Sequence, residues 1–294
     1  MNSRWMIAQG RTVLTAGAVL AVLLLAGGWL FSHPISVSAN QSVILLPAAM
    51  YHSVTDAGDS PAQYVISPSM LESDLQYLQA HGRETVTIHD LLAYVQDGAA
   101  LPEKPVLLTF DDGYYNNYKY AYPLLKQYGM RAVLSPVASL TERFSQTDEA
   151  EQEAWSYCTG RELREMADSG VFEIQNHSYD FHELKPRKGC LRMAGETAAA
   201  YRQCFLSDTR RAQDLFVSLG IEAPVCYTYP YGAVNAEAQA LTAVCGFSVT
   251  LSCEEGVTAL TRDTACLKGI RRNNRDGRWS SAQFWDALLA QTEG

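Results

Sequence analysis

The stretch that most constrains the fold is Val106-Leu107-Leu108-Thr109-Phe110-Asp111-Asp112-Gly113. Its apolar run reads as a short buried strand, and it ends abruptly in two carboxylates and a glycine. Adjacent like charges push their pKa values apart unless a cation neutralises one of them. One carboxylate on a metal and one free as a base would meet that condition. The plainer alternative is a turn, since Asp-Gly is a common turn pair.

The rest of the chain alternates strand and helix patterns around this strand. A buried strand over 43–50 leads to Tyr51-His52-Ser53. Ser67 and Pro68 open a helix with Leu71, Leu75 and Leu78 on one face, stopped by Gly82. Strands are expected at 84–87, 132–137, 172–175, 225–229, 247–251 and 267–270. Helices are expected at 88–96, 116–127, 160–169, 195–219, 235–244 and 281–291. Residues 139–157 look irregular and acidic, with Asp148, Glu149, Glu151 and Glu153. Such βα alternation predicts an α/β fold with helices around a parallel sheet. Chemistry-bearing residues follow three separate strands, which fits the C-terminal rim of a barrel better than an open sheet.

The second of these places is Asn176-His177-Ser178-Tyr179-Asp180-Phe181-His182, with two histidines at i and i+5. Two imidazoles and one carboxylate make a ligand set that leaves metal positions open. The third is Tyr227-Thr228-Tyr229-Pro230-Tyr231-Gly232. Thr109-Phe110-Asp111-Asp112-Gly113, the histidine pair and Tyr229-Pro230-Tyr231-Gly232 together resemble the polysaccharide deacetylases of the NodB-homology type, carbohydrate esterase family 4. The longer histidine spacing is similar to that of their poly-N-acetylglucosamine deacetylase branch. The resemblance covers about residues 43–275.

It implies a distorted (β/α) barrel of about seven parallel strands, and removal of N-acetyl groups from the N-acetylglucosamine units of a polysaccharide. Poly-β-1,6-N-acetylglucosamine is the first candidate substrate and peptidoglycan the second. By the same resemblance, Asp112, His177 and His182 hold a divalent metal: zinc, with cobalt or nickel as alternatives. Asp111 is the general base, the Tyr231 backbone N–H an oxyanion donor, and Tyr229, Pro230 and Tyr231 contact the sugar. Two departures stand out. No histidine follows His182 to serve as the family's usual acid, and the third motif lacks its arginine. His52 is the candidate acid, since it follows a strand and imidazole titrates near neutrality. Arg271 or Arg272 could supply the arginine, and Arg271 is also placed among the substrate contacts. An alternative is a carbohydrate-binding descendant of the fold with impaired catalysis.

Lys and Arg number 23 against 32 Asp and Glu, a net charge of −9, so nothing suggests a nucleic-acid partner. Residues 12–31 are apolar, uncharged and long enough to span a bilayer. Arg4 and Arg11 precede them, and no further Lys or Arg occurs before Arg83. The positive-inside rule then puts residues 1–11 in the cytoplasm and, after a linker at 32–42, a single domain of residues 43–294 outside. The domain is expected to work as a membrane-anchored monomer, or to be secreted if the segment is cleaved near Val37-Ser38-Ala39. Seven cysteines lie between Cys158 and Cys266, and at least one must stay unpaired.

Overall fold

The computed structural model describes residues 43–58, 61–147 and 151–292. The apolar segment 12–31, its flanks at 1–11 and 32–42, and Asp148 and Glu149 lie outside the described residues. Among the described residues no helix is long and apolar enough to cross a membrane.

In chain order the strands are β1 (Ile44–Tyr51), β2 (Ser53–Val54), β3 (Val65–Ile66), β4 (Glu84–Val86), β5 (Pro105–Asp112), β6 (Ala132–Pro136), β7 (Phe172–Ile174), β8 (Cys226–Thr228), β9 (Val249–Leu251), β10 (Val257–Leu260) and β11 (Asn273–Asn274). The helices are α1 (Pro68–Ala80), α2 (Ile88–Leu92), α3 (Tyr122–Gln127), α4 (Ala138–Phe144), α5 (Gly160–Asp168), α6 (Ala198–Ser218), α7 (Ala236–Val244) and α8 (Ser281–Leu289). Local chemistry sets several starts. Ser67 accepts the Met70 N–H at the head of α1, and a Thr159–Glu162 capping box opens α5.

All eight residues of β5 are buried. The main sheet runs β10-β1-β5-β6-β7, with β11 also on β1 and β4 also on β5. A separate parallel pair, β8-β9, is tied to it by single bridges, Asn176 to Tyr227 and Leu251 to Ile270. The parallel path therefore runs from β1 through β5, β6 and β7, crosses to β8 and β9, and returns through β11 to β1.

The period of two along each strand divides the core. Leu46, Ala48, Leu107, Val133, Cys226, Val249, Leu251 and Ile270 pack together, drawn from β1, β5, β6, β8, β9 and the bridge residue just before β11. Val106, Leu108 and Phe110 pack the other way, with Leu71 and Leu75 of α1, Leu125 of α3 and Leu163 of α5.

Three expectations change. The sheet is mixed, because β10 lies antiparallel on β1. Only residues 252–256 join β9 to β10, too few for the crossover that a parallel strand needs. The strand expected at 267–270 is a 3-10 turn, Thr264–Leu267, with a lone bridge at Ile270. The stretch from 139 begins inside a helix, α4, whose N-cap position is Val137 and so gives no capping signal. All seven cysteines are free thiols.

Candidate metal centre and active site

Among the described residues, three non-glycine residues have positive φ: Asp112 (68°), Ser178 (69°) and Tyr231 (58°). They fall one in each of the three motifs. Left-handed backbone costs on the order of 1–3 kcal/mol per residue, and such strain gathers at functional sites. At Asp112 its use is visible. The alternation of β5 puts Leu107, Thr109 and Asp111 on one face. The turn at Asp112 departs from that alternation, and the two carboxylates end in the same cavity. Gly113 follows with φ of 80°, and a Cβ there would lie 2.5 Å from that of Pro136. A side chain at 113 would push the turn off β6.

Asp112 Oδ1 lies 3.0 Å from His182 Nε2 and 3.6 Å from His177 Nε2. One donor atom from each residue fits within 4.8 Å of the others. His177 Nδ1 is 2.8 Å from the Thr228 carbonyl, so it carries the proton and leaves Nε2 free to ligate. The His182 ring stacks on Tyr231 at 4.6 Å, and the Tyr231 hydroxyl donates to the His182 carbonyl at 3.1 Å. Burial alone would raise the Asp112 pKa; the imidazoles of His177 and His182 beside it outweigh that and hold the carboxyl far below its ordinary value. Burial would lower the His182 pKa, and the Asp112 carboxylate reverses that. Two orientable imidazoles and an ionised carboxylate, converging with side chains almost buried, fit a divalent cation.

Asp111 faces a different partner. Arg272 forks it, Nη1 to Oδ1 at 2.6 Å and Nη2 to Oδ2 at 2.8 Å. Arg272 is fully buried, and it also donates from Nε to the Ser252 carbonyl at 2.8 Å and from Nη1 to Thr109 Oγ1 at 3.1 Å. Burial pushes the Asp111 pKa up, but the guanidinium prevails and the carboxyl stays below its ordinary value. The two neighbouring carboxylates thus remain ionised side by side, one against imidazoles and one against arginine.

These groups open into a cavity of about 620 Å³ shared by His52, Asp111, Asp112, His177, His182 and Tyr231. His52 lies just past β1, in register with Leu46, Ala48 and Met50. Its Nδ1 is buried without a hydrogen-bond partner. A buried unsatisfied nitrogen in an active-site cavity calls for a functional explanation. Burial lowers the His52 pKa, with Asp111 and Asp112 pulling the other way.

A profile for polysaccharide deacetylases matches residues 98–250, just over half of the chain. The chain belongs to the polysaccharide deacetylase family. YxkH of Bacillus subtilis (strain 168), assigned to the polysaccharide deacetylases, is 27% identical over 227 residues, covering 77% of this chain and 71% of that one. The poly-beta-1,6-N-acetyl-D-glucosamine N-deacetylase of Staphylococcus aureus (strain N315) is also 27% identical, over 195 residues. That match covers 65% of this chain and only 62% of the relative. A solved de-N-acetylase from Aggregatibacter actinomycetemcomitans shares the fold, with a TM-score of 0.69 at 24% identity, over 83% of this chain and all of that one.

Not every expected contact of this deacetylase reaches the cavity. Tyr229 is 1% exposed and its hydroxyl is 3.1 Å from Thr242 Oγ1, so it is a core residue and cannot stack on a sugar. Pro230 is buried and shapes the turn, while Tyr231 is 40% exposed at the mouth. Of the two arginines, Arg272 reaches Asp111; Arg271 sits at the surface, paired with Glu254 at 2.6 Å. Adjacent residues on an extended segment face opposite ways, which is why only one of them could serve. Tyr64 and Leu184 line the mouth without any signal in the sequence, since both come from loops. Tyr114, which directly follows Gly113, could have been noticed; its phenol pKa is pushed up by burial and then by the Asp112 charge.

Proposed function

We propose that this deacetylase removes N-acetyl groups from N-acetylglucosamine units of a surface polysaccharide, using a divalent metal held by Asp112, His177 and His182. The observation that carries the reading is one cavity holding a metal-type triad beside an ionised carboxylate clamped by a buried arginine. When bound, a divalent cation, zinc in the first place, would acidify water and polarise the acetyl carbonyl.

The chain's own residues divide the remaining work. Asp111, kept ionised by Arg272, takes the proton from the attacking water. The water oxygen adds to the acetyl carbon, and the Tyr231 N–H donates to the developing oxyanion, a contact worth about 3–4 kcal/mol where it has been measured in other enzymes. His52 gives its proton to the nitrogen as the carbon–nitrogen bond breaks, releasing acetate and a free amine. An imidazole lowered by burial donates well but is protonated in fewer molecules at neutral pH. Its contribution should therefore fade as pH rises. His52→Ala should lower turnover on the order of 10²-fold and flatten the alkaline limb of the pH–rate profile, with metal content unchanged. Activity near wild type would remove His52 from the mechanism.

The histidine spacing and the relatives named for poly-β-1,6-N-acetyl-D-glucosamine favour that polymer, with peptidoglycan second. We place the domain outside the cell, on the strength of residues 12–31. The test is acetate release from β-1,6- and β-1,4-linked N-acetylglucosamine oligomers and from peptidoglycan, before and after metal is stripped and restored. Asp111→Asn should lose at least about 10²-fold while still binding metal and glycan. Equal release by Asp111→Asn and wild type would overturn the assignment of the base, and release from none of the glycans would overturn the deacetylase reading.

A further inference from the structure

The loop between His177 and His182 is neither helix nor strand, yet its two imidazoles must converge on Asp112. Consecutive N–H groups along it each find a side-chain oxygen. Ser178 donates to Asn176 Oδ1 at 2.7 Å, and Phe181 to Ser178 Oγ at 3.0 Å. Between them, Tyr179 donates to Asp208 Oδ1 at 2.9 Å and Asp180 to Asp208 Oδ2 at 2.8 Å. Asn176 and Ser178 belong to the loop itself. Asp208 comes from the middle of α6 and is 8% exposed. Its two oxygens therefore tie the centre of the loop to a long helix. On the other side, the first N–H groups of α4 hold the loop's carbonyls, Ala138 to Ser178 at 3.1 Å and Ser139 to Tyr179 at 2.9 Å.

We propose that Asp208 is a positioning residue for the metal centre: its carboxylate fixes the Tyr179–Asp180 backbone and so sets where the His182 imidazole stands relative to His177 and Asp112. The inference rests on the metal reading above. Without the carboxylate, the buried Tyr179 N–H and the half-buried Asp180 N–H lose their acceptor. The other α6 contact with the middle of the loop, Arg211 over the Tyr179 ring at 3.6 Å, gives those N–H groups no acceptor, and the loop's spacing is too irregular for a helical turn to enforce. Outer groups that orient metal ligands in this way are typically worth 10–100-fold in metal affinity.

The test is zinc affinity of the chelator-stripped full chain, measured by competition with a chromophoric chelator, with thermal melting run alongside. Asp208→Asn keeps one acceptor oxygen and the side-chain shape; Asp208→Ala keeps neither. Glu162→Gln is the control, a comparably buried carboxylate that accepts a backbone N–H, here from Thr159, in the α5 capping box. Zinc should bind Asp208→Asn on the order of 10-fold more weakly than wild type and Asp208→Ala on the order of 100-fold, while Glu162→Gln matches wild type. Wild-type affinity in both Asp208 variants, even with lowered melting temperatures, would make Asp208 merely structural and overturn the inference. Failure of the wild-type chain itself to bind zinc would overturn the metal centre, and the positioning role with it.

Discussion

Arg272→Met should lower turnover by on the order of 10³-fold and cost about 3–5 kcal/mol of stability at neutral pH. Methionine fills much of the space but takes away every donor. Asp111 is left 2% exposed, with a charge and no cation. Breaking a buried pair by removing one partner is far worse than never having had it, because the surviving charge has lost its water as well as its partner. The consequence for chemistry is specific. In the native protein the guanidinium holds the Asp111 pKa below its ordinary value against the pull of burial. Take it away and burial is opposed mainly by the weaker pull of His177 and His52, so the carboxyl rises and is protonated where it should be a base.

The pH dependence follows with a definite sign. A depressed folded-state pKa contributes stability above the unfolded value, which is lost as pH falls through the folded one. The native protein has that contribution at neutral pH and the variant does not. The stability gap should therefore be wide at neutral pH and narrow as pH falls through the ordinary aspartate value. Urea unfolding across that range measures it, and the acid limb of the variant's pH–rate profile should move up. A stability gap that stays constant with pH, or an acid limb that does not move, would show that Arg272 does not govern Asp111.

His182→Ala should remove tight metal binding and reduce acetate release to background, and so should His177→Ala. Each leaves two of the three donors within 4.8 Å. Loss of one ligand also releases Asp112, since both imidazoles contribute to holding its carboxyl ionised. The two variants should differ in one respect. His177 is 2% exposed and anchored to the Thr228 carbonyl between strands, so its loss opens a gap in packed structure. The His182 side chain is 22% exposed and rests on Tyr231, so its loss should be tolerated with a smaller fall in melting temperature. Metal content by elemental analysis, read beside acetate release, checks both. Stoichiometric metal retained in both variants would refute the triad.

Much of the site was legible because its residues sit where strands end. Asp111 and Asp112 close β5, His177 follows β7, Tyr231 follows β8 and His52 follows β1. Parallel strands deliver their C-terminal ends to one side, so motifs far apart in the chain meet without any further information. Their apolar runs also marked β1 and β5 as buried strands. Where local rules were silent, the reading went astray. Val137 offers no cap, so α4 was invisible; β10 is short and partly exposed, so it carried no burial pattern.

The sequence by itself determined the βα order through local patterns, and through its family resemblance it named the metal-type triad and the base proposed beside it, all at strand ends. Only the tertiary structure decided which arginine answers Asp111, which tyrosine faces the cavity, and that Asp208 grips the histidine loop. Each of those choices is a contact between distant segments, 161 positions apart for Arg272 and Asp111 and 29 for Asp208 and Tyr179. Neighbouring residues such as Arg271 and Arg272 have the same chemistry and differ only in the direction they point. That direction is set by how β9, β11 and β1 are paired, a property of the folded sheet and not of any short stretch of chain.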